Sequence, residues 1–150
     1  MNANMGRAAE VLLVEDSPGD VRLTREALKE GKVRNNLSVV NDGVEAMEFL
    51  RRQGKYADAP RPDIVLLDLN MPRKDGREVL AEMKGDDDLK RIPVVILTSS
   101  RQDRDVNAAY DIGVNSYLVK PVEFDGLLQM LKTVNLYWLM LNERPRFNGR

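Results

Sequence analysis

Ile64-Val65-Leu66-Leu67-Asp68-Leu69-Asn70-Met71-Pro72 is the stretch on which the reading of this 150-residue chain turns. Four consecutive apolar residues read as a buried strand, and Asp68 follows them. A carboxylate in that place has left the strand and emerges, exposed, at its carboxyl end. In an open α/β sheet that edge is where ligands bind. Three further runs end in the same way. Val11-Leu12-Leu13-Val14 leads into Glu15-Asp16, Val94-Val95-Ile96-Leu97 into Thr98-Ser99-Ser100, and Tyr117-Leu118-Val119 into Lys120-Pro121. An acidic pair, a lone Asp, a hydroxyl and a Lys therefore stand at successive strand ends.

Longer amphipathic stretches alternate with these runs, the pattern of parallel βα units. Ser17-Pro18 supplies a cap and a first-turn Pro for a first helix. Its inner stripe is Val21, Leu28 and, in part, Thr24 and Ala27, with Gly31 after its end. Leu37–Val40 is a second strand, and Asn41-Asp42-Gly43 turns into a helix with Val44, Met47 and Leu50 inward. A polar loop runs from Gly54 to Pro62. Asp75-Gly76 opens a third helix carrying Val79, Leu80 and Met83. The charged loop Lys84–Arg91 contains Asp86-Asp87-Asp88, which reads as a solvated helix exit rather than a cation site. Pro93–Leu97 is a fourth strand, and a weaker helix passes through Val106, Ala109, Tyr110 and Ile112 to Gly113. Ser116–Val119 is a fifth strand. A final helix runs from about Glu123 to about Leu141, with Phe124, Leu127, Leu128 and Leu131 as its core stripe. The chain reads as one domain of five βα units.

Composition narrows the chemistry. A hydrophobic content of 43% supports one core at this length. The 23 basic and 24 acidic residues leave a net charge of −1, so no global field favours nucleic acid or an anionic membrane. The chain has no Cys and no His, which removes disulfides, thiolate sites, catalytic triads and imidazole proton shuttles. Residues 1–9 lack a signal-like apolar core and no segment is long enough to span a bilayer, so a cytoplasmic protein is expected.

Gathered at one sheet edge, Glu15, Asp16 and Asp68 repel one another by roughly 4 kcal/mol per pair at 4 Å and intermediate dielectric. Lys120 neutralises one charge, and a hard divalent cation fits the remainder. Mg2+ is usually held by one or two carboxylates, with waters and phosphate oxygens completing its shell. The cluster thus suggests phosphoryl chemistry with Asp68 as the nucleophile. Thr98 and Lys120 serve the remaining oxygens of the acyl phosphate. Each element alone is what a strand end meeting water would show; the ordered set is specific.

At this point the chain resembles the receiver domains of two-component response regulators, over about Glu10 to Leu131. The resemblance implies a flavodoxin-like (βα)5 fold, α/β and doubly wound, with a parallel sheet of strand order 2-1-3-4-5 and an extended C-terminal helix. It implies that Asp16 ligates Mg2+ directly and that Glu15 acts through water, where many receivers carry Asp. Asp68 matches the phosphoacceptor and Asn70 the residue whose backbone carbonyl completes the metal site. Thr98 matches the switch hydroxyl, Tyr117 the switch aromatic, and Lys120 the lysine that precedes a cis Pro121. A finer likeness is to free-standing receivers paired with phytochrome histidine kinases. It is carried by Glu15-Asp16-Ser17-Pro18-Gly19-Asp20, Tyr56-Ala57-Asp58-Ala59-Pro60-Arg61-Pro62, Asp75-Gly76-Arg77-Glu78-Val79-Leu80 and an apolar terminal segment.

Such a likeness implies a signalling protein rather than an enzyme. Its implied partners are a sensor histidine kinase, a phytochrome among the candidates, and a downstream phosphotransfer protein. The expected division is a flexible N-terminus at 1–9, a receiver domain at 10–133, and an extension at 134–150. Continued in helical register, the core stripe of the last helix passes through Val134, Asn135, Trp138 and Leu139 and leaves out Leu136, Tyr137 and Met140. With the helix projecting beyond the sheet, Leu136, Tyr137, Trp138 and Met140 suggest a homodimer contact. Three rivals compete. A dehalogenase-type phosphatase needs an acid two residues after its nucleophile, where this chain has Asn70. A flavodoxin-type carrier would place Glu15 and Asp16 against a phosphate. A degenerate receiver would not keep the whole phosphorylation set.

Overall fold

The computed structural model describes residues 8–69, 71, 73–99 and 114–134. Its strands are β1 (Ala9–Val14), β2 (Asn35–Val40), β3 (Ile64–Asp68), β4 (Val94–Thr98) and β5 (Ser116–Val119). Its helices are α1 (Pro18–Glu30), α2 (Gly43–Leu50), α3 (Gly76–Lys84) and α4 (Phe124–Thr133), numbered among the described residues. All neighbouring strands pair in parallel, in the order β2-β1-β3-β4-β5. This is the flavodoxin-like, doubly wound α/β order. The chain reverses its direction across the sheet between β1 and β3, where Val14 faces Leu67. That reversal opens a crevice at the carboxyl ends of the two strands.

Side chains alternate across the sheet and fill two separate apolar layers. Leu12, Val14, Val65, Leu67, Val94 and Ile96 pack with α2 and α3. Val11, Leu13, Ile64, Leu66, Val95 and Leu97 pack with α1 and α4 on the other side. Burial on both faces explains why these strands read as unbroken apolar runs.

Short polar residues begin the helices. Ser17 Oγ accepts the Asp20 N–H at 3.3 Å, and Asp42 Oδ1 accepts the Glu45 N–H at 2.9 Å. Asp75 and Glu78 cap each other's backbone N–H groups in a capping box. Asp86 Oδ1 takes the N–H groups of Asp88 and Leu89, so the acidic run after α3 terminates locally in a 3-10 turn over Leu89–Arg91.

Several boundaries and faces differ from the sequence reading. β1 and β2 each begin two residues earlier, because Ala9 and Glu10 pair with Asn35 and Asn36. In β4, Thr98 belongs to the strand and Pro93 does not. On α1, Thr24, Ala27 and Leu28 are buried while Val21 is half-buried. On α2, Ala46 and Phe49 join Met47 and Leu50 in the core, and Val44 stays half-buried. Phe49 turns inward beside Tyr56, their ring centroids 5.3 Å apart. The buried face of α4 is Leu127, Met130 and Leu131, with Phe124 and Leu128 at its margin. The helix through Val106 to Ile112 and the terminal segment after residue 134 lie outside the described residues. Among the described residues no helix is long and apolar enough to cross a membrane.

Candidate functional site

Four strand ends deliver the expected residues to the crevice. Glu15 continues β1, held by its N–H on Val40 O at 3.0 Å. Asp68 and Thr98 are the last residues of β3 and β4. Lys120 follows β5, and its N–H donates to Thr98 O at 2.6 Å. The peptide bond between Lys120 and Pro121 is cis.

Asp68 is buried, with 5% of its surface exposed, and is not the exposed carboxylate the sequence suggested. The cause lies in the loop that follows it. Leu69 and Met71 turn back into the core, and the Gly76 N–H ties the far end of the loop to Leu69 O at 3.0 Å. A Cβ at Gly76 would come within 2.4 Å of Asp68 O, so only a glycine lets α3 start this close to the strand end. Glu15 and Thr98 are also buried, whereas Asp16 is exposed.

Carboxylate oxygens of Glu15, Asp16 and Asp68 lie within 4.8 Å of one another. Lys120 answers more than one of these charges. Its Nζ stands 2.7 Å from Glu15 Oε1, 3.1 Å from Asp20 Oδ2 and 3.4 Å from Asp68 Oδ2. Burial pushes the Glu15 carboxyl up to about 7; the Asp68 charge adds to this, while Lys120 and the Ser17 N–H oppose it. Burial works to lower the Lys120 ammonium, yet Glu15, Asp68 and Asp20 outweigh it and hold its pKa above the ordinary lysine value.

Asp20 is the residue that sequence reasoning missed. It lies in the first turn of α1, where an acid is common for the sake of the helix dipole alone. Position therefore gave no sign that it reaches Lys120.

The donor set suits a hard cation. It consists of oxygens only, and one ammonium reaches Glu15, Asp20 and Asp68 while Asp16 adds a fourth carboxylate to the site. Glu15 Oε1, buried and close to Lys120, accepts no hydrogen bond of directed geometry. A divalent ion with a preference for oxygen fits this arrangement. Asn70, expected to add a carbonyl, lies outside the described residues; its neighbours Leu69 and Met71 are both buried.

Thr98 and Tyr117 sit on adjacent strands, with Ile96 opposite Tyr117 and Val119 opposite Thr98. Thr98 is 3% exposed and Tyr117 37% exposed. Leu136, Tyr137, Trp138 and Met140 lie outside the described residues, as does Ser100.

A parallel sheet whose crevice gathers acids, a hydroxyl and a lysine defines a receiver, and comparison with known proteins agrees. The response regulator receiver domain family matches residues 11–132, and the chain belongs to that family. It is similar to the response regulator Rcp1 of Synechocystis sp., 50% identical over 129 residues, covering 86% of this chain and 88% of that protein. The solved Mn(2+)-bound form of Rcp1 superposes with a TM-score of 0.73 at 47% identity, over 93% of this chain and 99% of that one. The bacteriophytochrome response regulator AtBRR superposes at 0.82 with 44% identity, over 91% and 99% of the two chains. The phosphorylated cyanobacterial phytochrome response regulator RcpA does so at 0.74 with 48% identity, over 88% and 94%.

Proposed function

We propose that the chain is a phosphoacceptor that takes a phosphoryl group from a sensor histidine kinase onto Asp68. The observation that carries this reading is the placement of buried Asp68 beside Glu15 at the switch point, with Lys120 reaching both. An Asp68 carboxylate oxygen attacks phosphorus, the bond from phosphorus to the donor imidazole nitrogen breaks, and the departing imidazole takes up a proton from solvent. The product is an acyl phosphate. Lys120 and the Thr98 hydroxyl serve the transferred oxygens. Glu15, Asp16, Asp68 and the backbone carbonyl of Asn70 would hold Mg2+. When bound, the ion supplies charge neutralisation for the phosphoryl group.

Phosphorylation is proposed to draw Thr98 inward, letting Tyr117 leave its exposed position. That changes the surface around β5 without an output domain in residues 10–133. The protein signals and does not turn over a substrate. A phytochrome-type kinase is the preferred donor, supported by the likeness to AtBRR and RcpA. A downstream phosphotransfer protein is a further proposed partner.

Acetyl phosphate with Mg2+, followed by intact mass measurement, tests the reading. A labile gain of one phosphoryl group is expected of the wild type and none of Asp68→Asn. Undiminished labelling of that variant would sink the assignment.

A homodimer through residues 134–150 is proposed on the apolar character of Leu136, Tyr137, Trp138 and Met140. Tyr137→Ala combined with Trp138→Ala should lower the sedimentation coefficient to that of a monomer. A wild type that sediments as a monomer at tens of micromolar refutes this.

A further inference from the structure

We infer that Asp20 is a resting partner for Lys120, a positioning residue that competes with the acyl phosphate for its ammonium. The inference rests on the reading of Asp68 as phosphoacceptor. Lys120 has one ammonium with three donors, and three acids surround it at 2.7, 3.1 and 3.4 Å. The contact with Asp20 Oδ2 has the geometry of a hydrogen bond, whereas Glu15 Oε1, although nearer, accepts none. Asp20 therefore shares with Glu15 in setting the direction in which the ammonium points.

Two features separate Asp20 from the other acids. Its carboxylate is not among the clustered oxygens of Glu15, Asp16 and Asp68. Its position is set by α1, whose first turn is pinned by the bond from the Asp20 N–H to Ser17 Oγ. Its backbone is thus tied to the helix start and not to the loop after β3, while the charge change falls on the Asp68 side chain. A phosphoryl group on Asp68 adds negative oxygens near an ammonium already engaged by Asp20. Lys120 must leave that partner, wholly or in part, to serve them. Asp20 thus weakens the grip of the site on the phosphoryl group. Its side chain is 31% exposed, so solvent screening keeps the effect to several-fold.

The test uses the full chain with Asp20→Asn, Asp20→Ala and Asp20→Glu. Beryllofluoride with Mg2+ stands in for the phosphoryl group. Binding is expected to tighten by about fivefold in the Asn and Ala variants and to stay at the wild-type value in the Glu variant. In the same variants without beryllofluoride, the Lys120 Nζ and Cε resonances should move for Asn and Ala and hold for Glu. Unchanged or weaker beryllofluoride binding overturns the competition, and an unmoved Lys120 resonance overturns the contact itself. Failure of the wild type to gain phosphoryl mass from acetyl phosphate overturns the phosphoacceptor reading instead, and the Lys120 resonance still decides whether Asp20 holds the ammonium.

Discussion

Arg73 and Asp42 join the loop after β3 to the start of α2. The guanidinium Nη2 and Nε stand 2.6 and 2.8 Å from one oxygen, Asp42 Oδ2, while Oδ1 caps the helix through the Glu45 N–H. One buried carboxylate therefore starts a helix and anchors the loop. Arg73 has φ 63, a region that costs a non-glycine residue energy and persists only where neighbours enforce it. The Gly43 N–H on Lys74 O at 2.9 Å and the ion pair of Lys74 with Glu82 supply that enforcement.

Asp42→Ala removes cap and anchor together and should cost about 1–2 kcal/mol in urea denaturation. Burial acts to raise the Asp42 carboxyl, but the Glu45 N–H and Arg73 outweigh it and hold the group below its ordinary value. A folded pKa below the unfolded one adds stability that is present above the unfolded value and lost as pH falls through the folded one. The wild type should therefore lose more stability than Asp42→Asn on acidification below about pH 4. Parallel acid profiles for the two would contradict this.

Gly76→Ala brings a Cβ within 2.4 Å of Asp68 O and 2.8 Å of Leu69 Cα. Both neighbours are backbone, so the strand end or α3 must shift, at about 1–3 kcal/mol. Gly19→Ala, whose Cβ would meet only Ser17 Oγ at 3.9 Å, is the control and should unfold at nearly the wild-type denaturant concentration. Equal midpoints for the two variants would show that the close approach is relieved without cost.

The proposed Mg2+ affinity should rise with pH. Burial pushes Glu15 up to about 7, so proton and cation compete for it, and calorimetric titration should show tighter binding at about pH 8 than at about pH 6. Stability of the cation-free protein carries the opposite sign. The folded state keeps its Glu15 proton more firmly than the unfolded chain, so this group's contribution falls as pH rises from 4.5 to about 7 and is constant above. Saturating Mg2+ should flatten that slope. An affinity independent of pH over this window would remove Glu15 from the cation site.

Beryllofluoride with Mg2+ should perturb Tyr117 as well as the phosphorylation site. Thr98 is buried and Tyr117 half-open on the next strand, so movement of the first alters the space available to the second. NMR shifts confined to Asp68 and its immediate neighbours would show that the two are uncoupled.

How far the chain could be read from its letters depended on which force set each feature. Ile64–Leu67 and Val94–Leu97 were legible because strands buried on both faces leave apolar runs, and the edge strand Ser116–Val119 because β-favouring residues stand just before the polar Lys120-Pro121. The early starts of β1 and β2 were not, because Glu10 and Asn36 join by backbone pairing and by a side-chain bond of 2.9 Å, which hydropathy does not register. Glu15, Asp68, Thr98 and Lys120 were found as strand-end polar residues. The burial of Asp68 was hidden, since it depends on how the loop from Leu69 to Gly76 folds back. Asp20 escaped because it lies within the first turn of α1 and not at a strand end, where an acid already has a reason in the helix dipole. Met130 escaped on α4 because its helix docks slightly rotated from the Phe124–Leu128 stripe.

The sheet is the one partition between two apolar compartments, and Glu15 and Asp68 are mounted on its rim. Damage to either compartment therefore reaches the same two carboxylates by a different route. Met83→Ala, on the inner face of α3, and Leu127→Ala, on the inner face of α4, hollow out opposite rooms and leave the other room's furniture in place. A change at that rim borders both compartments, since Val14 and Leu67 face one and Leu13 and Leu66 the other.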